Sequence, residues 1–119
     1  MSRCVAVVED EPAVLDVVRE VLVMEGHEAL GFNHPYQLRA LTQHPDVFLV
    51  DIMLPDETGI EVAQRLREHG YAETPMLAMS ASTTLLADAR RSGLFQGFLD
   101  KPFDVVELVD LVDRYMPQA

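Results

Sequence analysis

Four apolar runs of this chain end on groups that can do acid, metal or phosphoryl chemistry. Glu9 and Asp10 follow Cys4–Val8, Asp51 follows Val47–Val50, Ser80 follows Met76–Met79, and Lys101 lies just past Gly97–Leu99. Three carboxylates brought to one place repel, and the least costly compensation is a hard divalent cation such as Mg²⁺, held by oxygen ligands and retained waters. Lys101 adds a compact positive charge and Ser80 a hydroxyl, a pair suited to the oxygens of a tetrahedral anion that the acids alone would reject. A carboxylate placed between metal and lysine can attack phosphorus and form an acyl phosphate, while the two cations neutralise charge on the transferring group. Asp51 is the central candidate. Each residue also has a plainer reading: Asp10 as a helix cap ahead of Pro12, Asp51 and Ser80 as turn or cap residues, Lys101 as a solvated charge. The functional reading rests on all of them meeting at one rim.

That meeting requires a particular framework. Apolar runs short enough to be strands alternate with stretches of helical period, the signature of a parallel sheet covered on both faces. The strands read as Cys4 to Val8, Glu28 to Phe32, Val47 to Val50, Met76 to Met79 and Gly97 to Leu99. The first, third and fourth are continuously apolar, as strands buried on both faces are, whereas Glu28 and the short fifth run suit edges. A doubly wound, flavodoxin-like α/β sheet of five parallel strands in the order 2-1-3-4-5 follows, with ligands bound outside the carboxyl ends of the strands. Helices are expected over Val14 to Leu22 with Gly26 as stop, about Tyr36 to Leu41 after Pro35, from Thr58 to near Gly70, from about Thr84 to Ser92 before Gly93, and from Asp104 onward. Thr58 with Glu61 and Asp104 with Glu107 have capping-box spacing.

Composition bounds the rest. At 119 residues the chain has room for one domain, residues 1–119, and 49% hydrophobic residues give it a core without disulfides or structural metal. Twenty acids against nine Lys and Arg give a formal charge of -11, which repels phosphate backbones and anionic lipid, so no nucleic-acid or membrane partner is expected. The single cysteine, Cys4, reads as a buried thiol in a reducing, cytoplasmic setting, and no run is long enough for a secretory signal or a membrane span. No GxGxxG or GxxxxGK run occurs among the six glycines. His27, His34, His44 and His69 lack the spacing of a helical metal site and read as solvated, with His69 favouring a helix end; Asp104, Glu107, Asp110 and Asp113 read as a solvated acidic face.

Taken together, Val7-Val8-Glu9-Asp10-Glu11, Asp51-Ile52-Met53-Leu54-Pro55 with Gly59 eight residues after the aspartate, Ser80-Ala81 and Lys101-Pro102-Phe103 resemble the receiver domain of two-component response regulators. The resemblance covers essentially the whole chain. It implies a signalling switch in which Asp51 accepts a phosphoryl group from a phosphohistidine on a sensor histidine kinase or phosphotransfer protein. It implies Mg²⁺ ligated by Asp10, Asp51 and the backbone carbonyl of Met53, with Glu9 assisting through water. Lys101 would pair with a phosphoryl oxygen, Ser80 would bond another, and Phe98 at the aromatic switch position would rotate inward, reshaping the fourth helix, fifth strand and fifth helix for a downstream output domain or protein target. It also implies a cis Lys101-Pro102 bond. Two departures stand out: Phe98 lacks the hydroxyl of the more frequent tyrosine, and the Met53 side chain cannot orient a hydrolytic water, so slow loss of phosphate is expected.

Two other classes compete. A Mg²⁺-dependent aspartyl-nucleophile phosphatase of the haloacid-dehalogenase type also has a nucleophile after a strand, but its general acid, an aspartate two residues on, is Met53 here. A phosphorylation-independent, receiver-like interaction module would normally lack an acid, the nucleophile or the lysine, and this chain keeps them all. The chain is therefore read as a signalling module, not primarily an enzyme.

Overall fold

The computed structural model describes residues 3–117. Its elements are β1 (Cys4–Val8), α1 (Pro12–Met24), β2 (Glu28–Phe32), a 3₁₀ helix (Pro35–Ala40), β3 (Val47–Asp51), α2 (Gly59–Glu68), β4 (Met76–Ser80), α3 (Thr83–Ser92), β5 (Gly97–Asp100) and α4 (Val105–Tyr115). The strands form one parallel sheet in the order β2-β1-β3-β4-β5, the order expected from the apolar runs. Strands β1, β3 and β4 are buried along their whole length. Side chains alternate across them: Val5, Val7 and Leu49 join α1 and α4 in one core layer, while Ala6, Val8 and Val50 join α2 and α3 in the other. Glu28, exposed on β2, and the four-residue β5 mark the two edges.

The departures from expectation are local. Three strands run one residue further than their apolar runs, so Asp51 and Ser80 are the last residues of β3 and β4 rather than the first beyond them. Backbone pairing continues through these polar residues because their neighbours supply the ladder: Asp51 lies opposite Met79, and Ser80 opposite Asp100. The weakly patterned second helix is a single 3₁₀ segment, capped at its start by the His34 ring and Gln37. The Thr58 hydroxyl accepts from the Glu61 N–H as a cap, and the full reciprocal box forms at Asp104 and Glu107. Gly93 ends α3 at φ 74°, the left-handed conformation that glycine adopts without steric cost. Val105 and Val106 are exposed, because α4 buries only Leu108, Leu111 and Val112.

One reading of a histidine is corrected and another holds. His27 is not solvated: it is buried between α1 and β2, and its Nε2 meets Asp113 Oδ1 at 2.9 Å, which ties α4 to that loop. His69 does end α2, with its ring Nδ1 donating to the Arg65 carbonyl at 2.7 Å. Cys4 is buried, and burial first, then Glu28 and Asp46, push its thiol up to about 11, so it is an inert core group. Among the described residues no helix is long and apolar enough to cross a membrane.

Candidate functional site

The carboxyl ends of β1, β3, β4 and β5 meet at one edge of the sheet. Glu9 continues the line of β1, its N–H donating to the Phe32 carbonyl at 3.0 Å, and its side chain turns into the protein, fully buried. Asp51 is buried at the end of β3. Oxygen atoms of Glu9, Asp10 and Asp51 lie within 4.8 Å of one another, so the three acids form a single cluster able to hold a divalent cation. Asp10 does not cap α1; the capping position belongs to Glu11, whose side chain makes no cap bond, and Asp10 stays half-buried at the cluster.

Lys101 reaches this cluster from the far end of the sheet. Its Nζ donates to Asp51 Oδ2 at 2.7 Å and also to Glu9 Oε1. Burial alone would lower the lysine, but hydrogen bonds to Asp51 and Glu9 and their charges outweigh it and raise its pKa. Glu9 responds to a different balance. Burial, then a hydrogen bond with Asp51, push its carboxyl up to about 7 despite the opposing lysine. Crowding acids in a dry pocket favours the protonated form of one of them, and a cation would reverse that preference.

The backbone around Asp51 is held from several sides. The Met53 N–H donates to Asp51 Oδ1 at 2.9 Å, and Met53 bridges to Thr58, closing the loop between β3 and α2. At the base of that loop, the Gly59 N–H donates to the Ile52 carbonyl at 2.8 Å. A Cβ on Gly59 would sit 2.5 Å from the Asp51 carbonyl oxygen and 2.8 Å from Ile52 Cα, so this position has room only for hydrogen. The loop is also held outside by His34, whose Nε2 lies 2.6 Å from Asp56 Oδ2.

Ser80 stands apart from the ionic cluster. Its hydroxyl accepts from the Ser82 N–H at 3.0 Å and makes no bond to Asp51 or Lys101, while its carbonyl accepts from the Lys101 N–H at 2.9 Å. The Lys101-Pro102 bond is cis. Phe98 is half-exposed on β5 with the Arg90 guanidinium 4.2 Å from its ring centre, a cation–π contact that the pattern of α3 alone does not reveal. Asp56 was likewise missed: nothing in its spacing marks a clamp on His34, because the two lie 22 residues apart.

Comparison with known proteins agrees with this fold. The family model of the response regulator receiver domain matches residues 5–113. The chain is 34% identical over 112 residues to the DNA-binding transcriptional regulator NtrC of Proteus hauseri, covering 91% of this chain and 23% of that protein. It is 26% identical over 123 residues to the polar-differentiation response regulator DivK of Brucella ovis, covering 100% of both. The solved structure of the chemotaxis response regulator CheY4 of Vibrio cholerae superposes with a TM-score of 0.86 at 24% identity, covering 97% of this chain and 99% of that one, and shares its fold. With its acids, lysine and sheet topology in place, the chain belongs to the response regulator receiver domain family of two-component signalling.

Proposed function

We propose that the chain is a phosphorylation-dependent switch whose acceptor is Asp51. The observation that carries this reading is the Lys101 ammonium 2.7 Å from Asp51 Oδ2, beside oxygens of Glu9, Asp10 and Asp51 clustered within 4.8 Å. Asp51 is thus flanked by one fixed cation and by a pocket whose excess negative charge calls for a second. Glu9, Asp10 and Asp51, with the Met53 carbonyl, would hold Mg²⁺, which supplies charge neutralisation at the phosphoryl oxygens.

The protein's own groups account for the remaining steps. One Asp51 oxygen attacks phosphorus as the P–N bond of a donor phosphohistidine breaks; the imidazole leaves and the aspartate becomes an acyl phosphate. Lys101 follows the charge from carboxylate to phosphoryl oxygen. Ser80 gives up its local bond from Ser82 and donates its hydroxyl to another oxygen, drawing the start of α3 inward. Phe98 then leaves its contact with Arg90 and turns in, and the face of α3, β5 and α4 changes for a partner protein or output domain. The donor is a sensor histidine kinase or phosphotransfer protein, in the cytoplasm. Position 53 carries a thioether, so the aspartate general acid of the phosphatase alternative is missing there.

Incubation with acetyl phosphate and Mg²⁺, followed by intact mass, tests this directly. A gain of about 80 Da, one phosphoryl group, is expected in the native chain and not in Asp51→Asn. An equal gain in the variant, or none in either, would refute the assignment.

A further inference from the structure

A separate concavity lies beside the short 3₁₀ helix. A groove of about 610 Å³ runs between the 3₁₀ helix and α2, and it shares no lining residue with the acidic cluster. Six residues of 3₁₀ helix, about 12 Å, lie along the ten-residue α2, about 15 Å. The floor is apolar, with Leu38 and Leu41 beside Leu66 and packed over the fully buried Val62. Its volume is in the range of pockets that take drug-sized organic ligands.

The charges around the groove run against those of the molecule. In a chain of net charge -11, the lining holds Arg39 and Arg65 against Glu57 alone. Arg65 and Glu57 satisfy each other through two bonds of 2.5 and 3.3 Å. Arg39 makes no hydrogen bond or ion pair among the described residues, leaving it as an unmatched cation beside an apolar floor. Tyr36, 60% exposed, stands at the same groove with its ring 4.5 Å from that of His34, offering a flat face to another ring.

We infer that this groove is a binding site for a small aromatic organic anion, its rings on the Leu38–Leu41–Leu66 floor and its acid on Arg39. A carboxylate repelled by most of this acidic surface meets an uncompensated cation here, next to the apolar area that its rings require.

The probe is 2-naphthoate, with the neutral isostere 2-naphthamide as control, titrated into the ¹⁵N-labelled chain. Saturable shifts confined to the groove are expected, with naphthoate bound about tenfold more tightly than the amide, as loss of one charge-assisted bond implies. In Arg39→Gln that preference disappears, while Asp51-dependent phosphorylation by acetyl phosphate is unchanged. Arg39 is exposed, so the variant keeps the fold. Shifts mapping elsewhere, no saturation, or an unchanged naphthoate preference in Arg39→Gln would each overturn the inference. A concentration-dependent dimer that expels the probe would assign the groove to a second copy of the chain and overturn it as well.

Discussion

Replacing Glu9 by glutamine makes the energetics of the acidic cluster measurable. Glu9 is 0% exposed and its carboxyl is raised from an ordinary value of 4.5 to about 7, chiefly by burial and by Asp51. Below pH 4.5 both native and unfolded chains hold this proton. Between there and pH 7 only the native chain does, so the unfolded state binds fewer protons and stability falls as pH rises. Above pH 7 the loss is complete and constant. A tenfold change in proton affinity is worth ~1.4 kcal/mol, so the gap between the two states corresponds to about 3 kcal/mol in the metal-free protein. Lysine titration lies above this window. Urea unfolding in chelator from pH 4.5 to 8 is the assay, read as the difference between native and Glu9→Gln chains, which removes the contribution of the other acids. The native chain should lose about 3 kcal/mol relative to the variant across this window, and Mg²⁺ should narrow that gap above pH 7, because the ionised Glu9 carboxylate gains more from a bound cation than a neutral amide does. Parallel curves would refute the reasoning that burial and acid crowding, rather than the lysine, dominate at Glu9.

Three further substitutions have defined outcomes. Gly59→Ala forces a methyl onto the Asp51 carbonyl and Ile52 Cα, so it should cost about 1–3 kcal/mol in urea unfolding and slow acetyl phosphate labelling. Arg67→Ala removes a guanidinium that donates to the carbonyls of Tyr71, Ala72, Thr74 and Leu94 and to Gln96 Oε1, at 2.6 to 3.1 Å, and should lower stability by about 2 kcal/mol without abolishing labelling. Met53 is 57% exposed beside Asp51, and Met53→Asn, which can orient a water, should speed loss of the phosphoryl group on the order of tenfold in a mass-monitored decay.

Most of the framework was legible because burial on both faces writes itself into β1, β3 and β4 as unbroken apolar runs, and parallel pairing then places their ends on one rim. The acids and lysine followed from that placement. What stayed hidden depended on contacts across the fold. His27 reads as polar surface until α4 brings Asp113 against it, 86 residues away. The 3₁₀ helix had too few periodic apolar residues to declare its form, and the groove beside it is lined jointly by that segment and α2, which no local pattern joins. Strand ends were short by one residue because Asp51 and Ser80 are polar by type yet paired by backbone. Arg90 over Phe98 and Asp56 on His34 join residues from different elements, and no local pattern encodes either.

One particular carboxylate, held between Lys101 and the acidic cluster, should carry the phosphoryl group. Borohydride reduces an acyl phosphate to an alcohol, which turns a phosphorylated aspartate into homoserine. Treating the acetyl phosphate-labelled chain with it and sequencing the peptides by mass spectrometry therefore locates the adduct. Homoserine is expected at position 51, formed with Mg²⁺ and lost in chelator. Reduction at Glu9, Asp10 or any other acid instead, or equal labelling at position 51 in chelator, would contradict the assignment.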